Sequence, residues 1–195
     1  MSTFTNGSNQ RSRIGDWFLT FTGKKFYPFD PRPEEICIED IAHSLARVCR
    51  FGGHSRHFYS VAQHSVIVAR NCPREARMTG LLHDATEAYC GDMVRPLKMM
   101  LPEYRRVEDR IWRKVCLAFN LNFEMPPIVK DLDNRVLLTE RRDICMPSNH
   151  EWALSKYFEP LDEIIYPWSP QCAEAEFEMM FNSIKMDQRV MEEVK

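Results

Sequence analysis

Two adjacent residues, His83 and Asp84, carry the strongest chemical signal in the chain. On a helix they project about 100° apart, so an imidazole and a carboxylate converge on one small volume, as ligands of a single ion do. Glu87 follows at i+4 from His83 and i+3 from Asp84, which puts it on roughly the same side. His64 lies on the preceding predicted helix, and an antiparallel neighbour brings it to the same point. A further carboxylate comes from VKDLDNRVLLTE, where Asp133 is three and four residues before Val136 and Leu137 and so faces the core side. Asp131, two positions away, is the more solvated choice. Because Leu81 and Leu82 sink the pair into apolar packing, its charge needs a partner or a cation. A lone histidine is more often a hydrogen-bonded core residue than a ligand; the second aspartate on a separate helix is what argues for a metal.

A cationic segment precedes these residues. In CRFGGHSRHFYS two glycines allow close backbone approach, and Arg50, His54, Arg56 and His57 form a dense set of donors suited to phosphate oxygens. Arg95 and Lys98, in VRPLK, are further phosphate candidates, each more often a solvated charge when taken alone.

The elements that must position these groups are helical. Ile41, Leu45 and Val48 form one stripe from Ile38, predicting a first helix ended by Gly52-Gly53. A second is expected over about Tyr59–Asn71, and a third from Pro73 to about Cys90-Gly91, with the glycine in a left-handed cap. Amphipathic stretches follow at Glu103–Leu121 and Ile128–Ile144, separated by Pro126-Pro127, and at about Ala173–Met186. Before them, Trp17–Phe29 reads as a short hairpin around Thr22-Gly23-Lys24, a lid or edge. Residues 1–13 read as a loose arm. The expectation is an all-α fold of about six main helices with a small N-terminal β-hairpin, in one domain over 1–195. The aromatic stretch Trp152, Tyr157, Phe158, Tyr166 and Trp168 reads as a lid, a subunit contact or a packed loop.

Composition excludes several classes. The 195 residues are 44% hydrophobic and 28% charged, with 26 basic against 28 acidic side chains, and a chain of this length buries about 70% of its unfolded surface without staples. No single-sign charge block exists, so neither a membrane surface nor a specific nucleic acid is an expected partner. The seven cysteines are odd in number and contain no CxxC pair, which reads as reduced, mostly buried thiols of a cytoplasmic protein. The longest apolar run noted, Val115–Phe119, is far short of the ~20 residues of a membrane span.

The stretches AQHSVIVA, LLHDATEAYCGDMVRPLK and VKDLDNRVLLTE resemble the HD-domain metal-dependent phosphohydrolases, in particular the bacterial 5′-deoxynucleotidases. The run IEDIAHSLARVCRFGGHSRHFYSVAQHS resembles related phage enzymes, including deoxyadenosine triphosphate triphosphohydrolases, whose setting is the host cytoplasm. The similarity covers about 38–142, the catalytic helical core of an HD-domain bundle. It implies His64, His83, Asp84 and Asp133 as metal ligands and Glu87 as the residue that orients or deprotonates the attacking water. It also implies Asp92 as a contact to the sugar 3′ side and Arg50 and Phe51 beside the nucleoside, where an Arg-Trp pair stands in the nucleotidases. Mixed imidazole and carboxylate suits Mn²⁺, Co²⁺, Zn²⁺ or Fe²⁺; Mg²⁺ belongs, if anywhere, to the substrate's phosphate chain. Two-iron relatives carry extra downstream histidines, and here only His150 follows His83, so one metal is expected.

The implied reaction cleaves the bond between the 5′-oxygen and the α-phosphorus of a deoxynucleotide, releasing nucleoside with phosphate or triphosphate. The histidines and arginines of the glycine loop lean toward acceptance of polyphosphate, dATP foremost. The resemblance also implies a homo-oligomer. The alternatives are an HD hydrolase of a cyclic dinucleotide or guanosine tetraphosphate, and a noncatalytic nucleotide-binding scaffold.

Overall fold

The computed structural model describes residues 13–193; most of the expected N-terminal arm, residues 1–12, lies outside them. The fold is an all-α bundle carrying a two-stranded hairpin, β1 (Phe18–Leu19) and β2 (Lys25–Phe26), paired antiparallel with Phe18 opposite Phe26. Gly23 supplies the positive φ (81°) its turn requires. The hairpin is fastened by Asp40, whose carboxylate accepts from the Thr22 amide (2.7 Å) and hydroxyl (2.9 Å).

The helices are α1 (Ile38–Leu45), α2 (Val61–Asn71), α3 (Arg77–Leu82), α4 (Glu87–Cys90), α5 (Arg95–Met99), α6 (Pro102–Phe119), α7 (Pro127–Asp143) and α8 (Pro170–Glu193). Counting α3 and α4 as two arms of one interrupted helix leaves about seven. The bundle is organised around α2, in which every residue from Val61 to Ala69 is buried, the pattern of a helix enclosed on all sides. Ala62, Val66 and Ala69 join a core with Ile41, Leu81, Ile111 and Phe177. Ile67 and Val68 join a second with Val136, Ile144 and Ile165. Ser60 caps α2 by accepting from the Gln63 amide.

Three boundaries differ from the periodicity. The first helix stops at Leu45 because the chain turns extended, Cys49 pairing with Ser60 and the Arg50 amide donating to the Tyr59 carbonyl (2.9 Å). That bridge closes a loop in which Phe51, Gly52 and Gly53 all have positive φ; for Phe51 (φ 58°) this is a strained conformation, held by the closure. The third helix is interrupted over 83–86, where i→i−3 bonds such as Ala85 amide to Leu82 carbonyl and Glu87 amide to Asp84 carbonyl run through the turn. Gly91 ends α4 at φ 82° and ψ 157°, a mirror-extended glycine conformation rather than the left-handed helical cap.

The backbone of the aromatic stretch is tied to α2: Gln63 donates to the Tyr166 carbonyl (2.7 Å) and accepts from the Trp168 amide (2.8 Å); Leu161 and Ile165 are buried, whereas the Tyr157 and Tyr166 side chains are exposed. All seven cysteines are free, but only Cys72 and Cys116 are fully buried. Among the described residues no helix is long and apolar enough to cross a membrane.

Candidate metal centre

The centre forms where α2, the α3–α4 turn and α7 meet. His64 is held in the middle of the enclosed helix and is fully buried. The approach of α3 depends on Gly80: a β-carbon there would stand 2.7 Å from Cys72 Sγ and 3.4 Å from Ala69 Cα. That close crossing, three residues before His83, brings the two imidazoles together, their Nε2 atoms 3.2 Å apart.

Asp133 Oδ1 lies 3.1 Å from His64 Nε2 and 3.9 Å from His83 Nε2. These three donor atoms all fall within 4.8 Å of one another. At metal–ligand distances near 2.1 Å, neighbouring ligand atoms of one ion sit about 3.0–3.4 Å apart; the His64–His83 and His64–Asp133 spacings match a coordination shell, and the His83–Asp133 spacing is wider. Asp84 Oδ2 is 3.3 Å from His83 Nε2 and 3.6 Å from His64 Nε2.

The outward-facing nitrogens are also fixed, which sets the tautomer with Nε2 turned inward. His83 Nδ1 lies 2.8 Å from the Gly80 carbonyl, and His64 Nδ1 lies 2.7 Å from Glu140 Oε1. Glu140 is fully buried and its other oxygen accepts from Arg50 Nε (3.2 Å) and Nη2 (3.0 Å). Arg50 Nη1 reaches Asp84 Oδ2 at 3.5 Å. Glu140 was given no role from sequence, yet the signal existed: it stands seven residues after Asp133, two helical turns along one face.

The electrostatics favour a cation. Burial by itself would raise the Asp84 carboxyl, but His83, then His64 and Arg50, hold it below the usual carboxylate range. Glu140 is likewise low despite full burial, because of Arg50 and His64. Burial and Arg50 push the His64 imidazole down; Glu140 and Asp133 outweigh them and carry it up to about 9. Asp84, Asp133 and Glu140 face one guanidinium, leaving two negative charges when the imidazoles are neutral. A divalent ion on the same atoms balances that charge with both imidazoles neutral, as ligation requires.

Beside the cluster opens a pocket of about 420 Å³ lined by His83, Asp84, Asp133, Glu87, Lys98, Glu108, Asp109 and Lys130, with Trp112, Phe123, Met125 and Val129 as its apolar lining. Glu87 is 5% exposed, and its Oε2 has no hydrogen-bond partner. Burial first, then the charges of Asp84 and Asp92, push its carboxyl well above the ordinary value. Lys98 Nζ pairs with Glu108 Oε1 (2.6 Å) and stands 4.0 Å from Glu87 Oε1.

The structure therefore brings His64, His83, Asp84, Asp133, Glu87 and Lys98 to one place. Arg50 joins them from behind, 8% exposed, through carboxylates. Asp92 is close enough to feel Arg50 and Asp84, although burial dominates in raising its carboxyl. His54 and His57 are exposed and are not part of the pocket wall. Arg56 binds the Asp143 and Ile144 carbonyls. Phe51 turns toward Trp152, with ring centroids 6.4 Å apart. Asp131 is exposed.

No family model matches the chain. It is 41% identical over 167 residues to the uncharacterized protein YfdR of Escherichia coli (strain K12), an alignment covering 85% of this chain and 93% of that protein. It is also 39% identical over 124 residues to an uncharacterized protein of Rhodobacter capsulatus, covering 58% of this chain and 63% of the relative. Identity of that degree over nearly the whole length of the first relative means common descent, and the chain belongs to the family of YfdR.

Proposed function

We propose that this protein is a metal-dependent phosphohydrolase of the HD type acting on 5′-deoxynucleotides, with one divalent transition ion held by His64, His83, Asp84 and Asp133. The observation that carries the reading is the convergence of His64 Nε2, His83 Nε2 and Asp133 Oδ1 beside a pocket, with both outer imidazole nitrogens already tied. The ion, when bound, polarises a phosphoryl oxygen and lowers the pKa of a water molecule.

The chain's own residues do the rest. Glu87, buried and with one oxygen free of partners, orients the attacking water and accepts its proton at Oε2. Water adds to the α-phosphorus, the bond to the 5′-oxygen breaks, that oxygen takes up a proton from solvent to become the nucleoside's hydroxyl, and nucleoside and phosphate leave. Lys98 offers its ammonium to phosphate oxygens at the edge of the pocket. Arg50 keeps Asp84 and Glu140 ionised. Asp92 contacts the sugar.

The exposure of His54 and His57 bears on chain length. Neither is part of the pocket wall, whose cations are Lys98 and Lys130, and Lys98 is already paired with Glu108; so few donors for a longer phosphate chain support a monophosphate over a triphosphate. Self-association into a homo-oligomer and a cytoplasmic setting complete the proposal.

The test is a panel of deoxynucleoside mono- and triphosphates, cyclic dinucleotides and guanosine tetraphosphate with Mn²⁺, Co²⁺ or Zn²⁺, reading phosphate, pyrophosphate and triphosphate separately. Deoxynucleoside with phosphate is the expected product pair. A protein that binds metal and nucleotide but hydrolyses none of the panel would make the site a scaffold.

A further inference from the structure

We infer that Trp112 and Phe123, on α6 and the connection to α7, form the subsite for the nucleobase and set the enzyme's preference for a substrate that carries an aromatic base; the inference rests on the function proposed above and extends it. The pocket lining is of two kinds: His83, Asp84 and Asp133 supply the groups that would face a phosphate, and Trp112, Phe123, Met125 and the buried Val129 supply apolar surface to the same cavity. A volume of about 420 Å³ falls in the range of small-molecule sites, about 300–1,000 Å³, and leaves room for more than a phosphate.

The wall is built rather than incidental. Trp112 Nε1 donates to the Phe123 carbonyl at 2.9 Å, locking the indole to the segment that carries the second ring. Arg113 sits over the Phe123 ring at 5.6 Å. Phe123 remains 46% exposed, leaving ring surface available for stacking. Phe51, expected beside the nucleoside, packs against the second core and is not part of the pocket wall. The aromatic surface that shares the pocket with His83, Asp84 and Asp133 comes from α6 and the connection that follows it. A planar heterocycle joined to a phosphate through a sugar uses both kinds of lining at once.

Steady-state kinetics on deoxyadenosine 5′-monophosphate and on 2-deoxyribose 5-phosphate test the wall, because the second compound has the same phosphate and sugar but no base. Trp112→Ala and Phe123→Ala should each raise KM for the nucleotide about tenfold or more, the scale of a lost base–aromatic stack, and leave 2-deoxyribose 5-phosphate within about twofold. Trp112→Phe should stay near the parent. Phe123 is exposed enough that its truncation keeps the fold if Trp112→Ala does not. Equal losses on both substrates, or none on either, overturn the inference.

Tryptophan fluorescence separates its failure from that of the proposed function. Nucleotide-dependent quenching that disappears in Trp112→Phe, in a protein that hydrolyses nothing, keeps the wall and rejects the reaction. Hydrolysis with no Trp112-dependent quenching and unchanged KM in both alanine variants keeps the reaction and rejects the wall.

Discussion

His64 Nδ1 and Glu140 Oε1 lie 2.7 Å apart, both side chains wholly out of solvent, so the imidazole that faces the metal position is steered from behind by a carboxylate that itself depends on Arg50. Outer partners of this kind typically govern metal affinity by about 10–100-fold. Glu140→Gln keeps the shape and one hydrogen bond but removes the charge. Its metal affinity, read by calorimetry, should fall within that range while its circular dichroism matches the parent. Unchanged affinity would reduce Glu140 to a packing residue. Glu140→Ala should also lose about 3–5 kcal/mol of stability, since it strands Arg50 in the interior.

Glu87 and Asp84 should separate chemistry from ligation. Glu87→Gln is expected to bind metal like the parent and lose about 10²–10⁴ in kcat. Asp84→Ala should lose metal and turnover together. Metal content by mass spectrometry, measured beside the kinetics, distinguishes the two; parental rates in both variants would place the reaction elsewhere.

Gly80 controls the crossing of α2 and α3. A β-carbon there meets Cys72 Sγ at 2.7 Å, so Gly80→Ala must displace the thiol or part the helices. The expected loss is about 1–3 kcal/mol, with weaker metal binding because His83 moves away from His64. Gly80→Ala combined with Cys72→Ala should recover both, since the smaller side chain removes the clash. Chemical denaturation and metal titration of the single and double variants read this directly.

The hairpin's attachment has an acid limit. Burial alone would raise the Asp40 carboxyl, but the Thr22 amide, the Cys37 thiol and the Thr22 hydroxyl donate to it and hold it below its ordinary value. A carboxyl lowered on folding contributes stability in full above its unfolded pKa of about 3.9, and loses it as pH falls through the lower folded value. The protection factor of the Thr22 amide, its exchange rate corrected for the intrinsic pH dependence, should therefore stay high at about pH 5 and fall below about pH 3. Asp40→Asn should flatten that dependence; an identical pH profile in the variant would mean that another group loosens the hairpin.

The residues of the metal cluster and the helical class were legible in the sequence because both are local. Types at 64, 83, 84 and 133 announce ligand chemistry, and apolar periodicity is a property of one segment at a time. Periodicity also misled locally: Val48 continues the stripe of α1, but the Cys49–Ser60 bridge competes for the backbone and ends the helix. The regular wheel through His83 and Glu87 is broken by i→i−3 bonds.

What only the tertiary structure decided is which side chains meet. Helix spacing depends on Gly80 lying against Ala69 and Cys72. Burial of Glu140 depends on α7 covering α2. The exposure of His54 and His57 follows from a loop closed by long-range backbone bonds. Sequence supplied the donors of a metal site, whereas inter-helix packing placed Arg50 as a buried counterion behind it, because a guanidinium beside the buried Glu140 and the half-buried Asp84 is held there by their charge.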